Sequence, residues 1–133
     1  MSKSINELQK IIHENAKSKG FYDGEKNIGE MLCLIHSEVS EALEADRKAN
    51  TNSKLRYEKE LEWYNWDKNS DGYKKKELEV FETKVKNSFE DELADIMIRV
   101  MDLAAFKNID LDWHIEMKMR YNSTRPYKHG KKY

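Results

Sequence analysis

The chain has 133 residues, 37% of them charged, and a formal net charge of -1 from 24 Lys and Arg against 25 Asp and Glu. That length suits one domain with a core of its own, the near-neutral balance excludes a uniformly basic nucleic-acid binder or an acidic-tail protein, and a single cysteine, Cys33, excludes a disulfide framework and a cysteine zinc site. The charge is segregated, however: residues 118–133 carry six Lys or Arg and no acid, which leaves 18 basic against 25 acidic groups, a net of -7, over the first 117.

One proline and five glycines, with abundant Glu, Lys, Leu and Met, predict an all-α fold. No stretch approaches the roughly 20 apolar residues of a membrane span. The opening Met-Ser-Lys-Ser-Ile-Asn-Glu lacks an apolar signal segment, so the expectation is a cytoplasmic protein with no membrane partner. A first helix is expected over 5–19. Ser4 and Glu7 have capping-box spacing, Ile5, Leu8, Ile11 and Ile12 form a stripe, and Gly20 is a stop signal. A second runs over 28–48, opened by Asn27 and Glu30, with Ile28, Met31, Leu32, Leu34, Ile35, Val39, Ala42 and Leu43 as its apolar positions.

Residues 50–87 differ in character. They hold 17 charged residues and six of the 14 aromatics, too few aliphatics for a separate core. They read as an insertion in a single 1–133 domain, made of helical pieces at 54–66 and 74–86 split by Asn69-Ser70-Asp71-Gly72. A third core helix is expected over 89–107, capped by Ser88 with Asp91, its stripe formed by Phe89, Leu93, Ile96, Met97, Val100, Leu103 and Ala104. Asp110 caps a fourth over 111–122, and Pro126 ends helical potential.

Two carboxylate pairs stand out. The second helix carries Glu38-Val39-Ser40-Glu41 and the third carries Glu92-Leu93-Ala94-Asp95. Residues three apart share a helix face. At about 100° per residue, Glu38 falls within the arc of Leu34, Ile35, Met31 and Ala42 and so points inward. Glu92 and Asp95 lie at the margin of their stripe. A bare carboxylate on a buried face is costly unless paired or bound to a metal. Antiparallel packing would gather four carboxylates, whose mutual repulsion invites a hard cation, Mg²⁺ or Mn²⁺. The plainer alternative is chance E-x-x-E spacing in a Glu-rich chain. A di-iron bundle needs Glu-x-x-His pairs, and none of His13, His36, His114 and His129 follows a Glu by three. No P-loop and no G-x-G-x-x-G fingerprint is present.

The tail brings the opposite charge. Lys118, Asn122 and Arg125 recur at helical spacing, and Tyr121, Lys128, His129 and Lys131 surround them. Arg grips phosphate through its planar fork and Lys as a point charge. The alternative is a solubilising end or a weak nucleic-acid patch.

Together these residues resemble the MazG-like all-α nucleoside triphosphate pyrophosphohydrolases, the group that includes dimeric dUTPases and dCTP pyrophosphatases. The resemblance rests on Leu34-Ile35-His36-Ser37-Glu38-Val39-Ser40-Glu41-Ala42-Leu43, on Glu92 and Asp95, and on a tail similar to K-x-x-x-N-x-x-R-P-x-x-H-G-K. It covers residues 21–48 and 88–133 and is weak over 50–87. It implies cleavage of a (d)NTP to the (d)NMP and pyrophosphate, with Mg²⁺ (Mn²⁺ as substitute) held by Glu38, Glu41, Glu92 and Asp95. It implies that Glu38 or Glu41 orients or deprotonates water. Lys118, Asn122, Arg125 and Lys128 would meet the phosphates, with Tyr121, His129 and Lys131 as further contacts and Asn27 near the base. A homodimer or homotetramer, assembled as a four-helix-type bundle, and a prokaryotic or phage source also fit that group. The other expectation kept open is a non-enzymatic helical module that binds nucleic acid or a phosphorylated partner through the basic tail.

Overall fold

The structure, a computed structural model, describes residues 2–133. All regular elements among these are helical: α1 (Ile5–Ser18), α2 (Ile28–Arg47), α3 (Ser53–Leu61), α4 (Asp71–Lys84), α5 (Phe89–Phe106) and α6 (Leu111–Ser123), then a short 3₁₀ turn at Tyr127–Gly130. No described helix is long and apolar enough to cross a membrane. The helices form two compact units. One comprises the residues up to Lys26 with Val100–Tyr133, the other Asn27–Arg99. α5 runs through from one to the other.

In the terminal unit α1 packs on α6. The Ser4 hydroxyl accepts from the Glu7 amide at 3.1 Å, and the Glu7 carboxylate accepts from the Ser4 amide at 2.7 Å. Gly20, at φ +85°, then takes the left-handed conformation that stops the helix. A second device escapes local reading, because α1 and α6 cap each other. The Asp112 carboxylate accepts from the amides of Ile5 and Asn6 at 3.1 and 3.0 Å, and the Asn6 carbonyl oxygen Oδ1 accepts from the amides of Leu111 and Asp112 at 3.0 and 3.3 Å. Each helix start leaves orphan amides, and each is served by a side chain of the other helix. An anion at a helix N-terminus also gains from the macrodipole. Asp112→Ala is therefore expected to lower stability by about 1–3 kcal/mol, read as a lower urea midpoint at unchanged slope.

Asp102 of α5 secures the rest of this unit. Its two oxygens meet His13 Nδ1 at 2.8 Å and the Tyr22 hydroxyl at 2.7 Å. The His13 and Tyr22 rings meet edge to face with centroids 4.6 Å apart. Burial, and then the hydrogen bond to Asp102, push the Tyr22 hydroxyl well above its ordinary range.

The second unit holds α2, α3, α4 and the first turns of α5. Here α3 packs on α4, and the charged insertion is closed at its base. The Phe89 amide donates to the Asn50 carbonyl at 2.9 Å, Asn50 Nδ2 donates to the Asn87 carbonyl at 2.9 Å, and Ser53 Oγ donates to Glu90 at 3.2 Å. Asn52 and Asn87 adopt positive φ at these corners, which Asn tolerates better than most residues. Of the insertion's aromatics, Tyr73 is buried whereas Trp63 is 84% exposed.

The expected apolar stripes are covered only in part. Ala42 and Ala45 of α2, and Met101 and Ala104 of α5, are buried. Leu32, Leu34, Val39 and Leu43 of α2, Leu93 and Met97 of α5 and Met119 of α6 stay exposed. A helix with eight apolar positions has more than one apolar face, and a neighbouring element covers only one.

Candidate functional site

The carboxylates lie in the Asn27–Arg99 unit. α2 opens on Asn27, whose side chain accepts from the Glu30 amide at 3.1 Å. Eleven residues on, the helical period turns Glu38 inward, where it is 7% exposed. α5 opens on the fully buried Ser88, whose hydroxyl accepts from the Asp91 amide at 3.2 Å. That start places Glu92 in the first turn, 3% exposed. Glu41 is exposed and Asp95 half-buried. Glu38, Glu41 and Glu92 each present an oxygen such that all three atoms lie within 4.8 Å of one another.

Each carboxylate is held differently. Arg99 Nε donates to Glu38 Oε1. The Ser37 hydroxyl donates to Glu41 Oε1 at 3.3 Å. Glu92 Oε2 is buried and has no hydrogen-bond partner among the described residues. Burial first, and then the charges of Glu41, Asp95 and Glu38, push the Glu92 carboxyl up to about 7. Asp95, expected as a fourth ligand, is not among the three mutually close groups. Its carboxyl is raised by burial and by Asp91 and Glu38, with Arg99 acting the other way. An open cleft of about 470 Å³ borders the cluster, with Ser37, Ser40, Glu41, Lys48, Asn87 and Glu92 on its walls.

An orphaned buried carboxylate oxygen beside two more carboxylates is a donor set suited to a hard divalent cation, so Mg²⁺ or Mn²⁺ fits these residues. With oxygen ligands only, the set is a poor match for zinc or copper.

The tail belongs to the other unit. Lys118 Nζ and the Arg125 guanidinium both lie over the Tyr121 ring, at 5.3 and 5.8 Å. Arg125 Nη2 also donates to the His129 carbonyl at 3.4 Å. Tyr121 is thus what joins these two cations. Asn122, expected on their face, has a buried Oδ1 without a partner among the described residues. Lys128 and His129 sit in the 3₁₀ turn at positive φ, and Lys131 is exposed. Asn27, expected near the base, caps α2 through its Oδ1.

Two site residues were missed in the sequence, Lys48 and Arg99. Each carried a readable signal: Lys48 follows Glu41 by seven residues and Arg99 follows Glu92 by seven, two turns along the same helix face. Comparison of the chain with protein-family models, with curated proteins and with solved structures finds no match in any of the three.

Proposed function

We propose that this chain is a divalent-cation-dependent nucleoside triphosphate pyrophosphohydrolase of the MazG-like kind, cleaving between the α and β phosphates to give the monophosphate and pyrophosphate. The observation that carries the reading is the Glu38, Glu41 and Glu92 cluster, with its buried, unpartnered Glu92 oxygen. Glu38, Glu41 and Glu92 would hold the cation, with Asp95 beside them. Bound there, Mg²⁺ or Mn²⁺ would supply Lewis-acid stabilisation of phosphoryl charge. Glu41, exposed on the cleft wall, accepts the proton of an attacking water. Glu38, tied to Arg99, keeps a fixed orientation. Lys48 lines the cleft and offsets phosphate charge there. The uncovered side chains of Leu32, Val39 and Leu43 on α2 and of Leu93 and Met97 on α5 support assembly with further copies of the chain into a larger helical bundle.

The test is a product-resolved panel of nucleoside triphosphates with Mg²⁺. The expected products are monophosphate and pyrophosphate, with turnover lost on chelation. Orthophosphate release, or turnover indifferent to chelation, contradicts the reading. The tail-binding alternative predicts instead salt-steep, Mg²⁺-independent association with nucleic acid or phosphorylated partners and no hydrolysis.

A further inference from the structure

We propose that Arg99 is a positioning residue of the carboxylate site, holding Glu38 in the orientation in which Glu38 ligates the cation. The inference rests on the cation site proposed above and adds a residue to it. Arg99 stands on α5 four residues after Asp95 and seven after Glu92, so the helix face that presents these carboxylates also presents the guanidinium.

Nε of Arg99 donates to one oxygen of Glu38. A carboxylate has two oxygens with several lone-pair directions, so a single N–H donor leaves the second oxygen free for a cation. Glu38 is buried, and its only ion-pair partner among the described residues is Arg99. The cluster therefore contains one carboxylate braced by a cation, Glu38, and one braced by a hydroxyl, Glu41. In the third, Glu92, one oxygen is buried and unpartnered. Glu92, a member of the cluster that is 3% exposed and has a buried oxygen with no partner among the described residues, is the independent sign that a ligand belongs there.

Arg99 also brings a charge that repels a second cation, and magnitudes decide between the two effects. Its side chain is 41% exposed, so water and salt screen the repulsion to roughly a few-fold in affinity. Loss of a hydrogen-bonding partner behind a metal ligand costs about 10–100-fold. Orientation outweighs repulsion, and Arg99 tightens the site.

The experiment titrates the full chain with Mn²⁺ alone, without nucleotide. Affinity is read by calorimetry and by the electron paramagnetic resonance signal of free Mn²⁺, and thermal melts are recorded with and without Mn²⁺. The expected result is a Kd about 10–100-fold higher in R99M, an intermediate Kd in R99K, and a Mn²⁺-induced rise in Tm that shrinks in the same order. Lower Tm in both variants with unchanged Kd makes Arg99 a purely structural partner and overturns the proposal. Tighter binding by R99M makes it a competitor and overturns it equally. If R99M loses its helical circular dichroism, the R99K comparison decides: a weaker Kd supports the role and an unchanged Kd removes it. A wild-type chain that binds no Mn²⁺ overturns both this inference and the cation site. Binding that is equal in wild type and variants overturns the inference alone.

Discussion

Glu41→Gln is expected to lower Mg²⁺-dependent pyrophosphate release by roughly 10²–10³-fold or more, the scale seen when one preorganised electrostatic group is removed from an active site. Two losses coincide. Gln removes a negative charge from the cation's donor set and a basic oxygen from the cleft wall. The fold should survive, because Glu41 is exposed and its one hydrogen bond, accepted from Ser37, can be accepted by a Gln carbonyl as well. Pyrophosphate release with a thermal melt as control measures both. An active, normally folded variant removes Glu41 from the mechanism.

The second large effect concerns pH. In the folded chain Glu92 is raised from 4.5 to about 7, so the native state holds its proton more tightly than the unfolded state does. The sign follows directly. The stabilisation is fully present below about pH 4.5 and is lost as pH rises to about 7, by at most about 3 kcal/mol at 1.4 kcal/mol per pH unit. Asp95, also raised, acts in the same direction. The metal-free protein should therefore lose stability between weakly acidic and neutral pH. Divalent-cation affinity should change the opposite way, rising up to about tenfold per pH unit until Glu92 is ionised, because binding must release its proton. Urea midpoints across pH 4.5–8 in chelator, set against Mn²⁺ titrations at the same pH values, check both slopes. Glu92→Gln should flatten the first and weaken Mn²⁺ binding throughout. A metal-free protein whose midpoint does not fall over that range contradicts the assignment.

The starts of α1, α2, α5 and α6 were legible in the sequence because their causes are local, whereas α3 ends five residues before the expected 66 and α4 begins at Asp71, inside the expected turn. Ser4 with Glu7, Asn27 with Glu30, Ser88 with Asp91 and Asp110 with Trp113 are all cap contacts across three residues. The inward turn of Glu38 was legible for the same reason, since 100° per residue sets its azimuth against its own helix's apolar positions. The Arg99–Glu38 pair spans 61 residues, and nothing in either segment names the other. The mutual capping of α1 and α6 by Asn6 and Asp112 spans more than a hundred. Leu32, Val39 and Leu43 show the limit from the other side. Periodicity marks them as apolar, but whether a neighbour covers them depends on how α2 is packed, and here they are exposed.

The sequence by itself determined that the chain is helical, where its four core helices begin, which carboxylates share a helix face, and that acid and base are segregated along it. These follow from propensity, capping and the 3.6-residue period, which act over a few residues. Only the tertiary structure decided which carboxylates meet: Glu38, Glu41 and Glu92 closely, with Asp95 outside that trio. Only it decided that Arg99 braces Glu38 while Glu92 is left unpartnered, and that Tyr121 gathers Lys118 and Arg125. Such pairings depend on the packing of segments far apart in the chain, and burial then makes the leftover oxygen of Glu92 costly enough to point to a ligand.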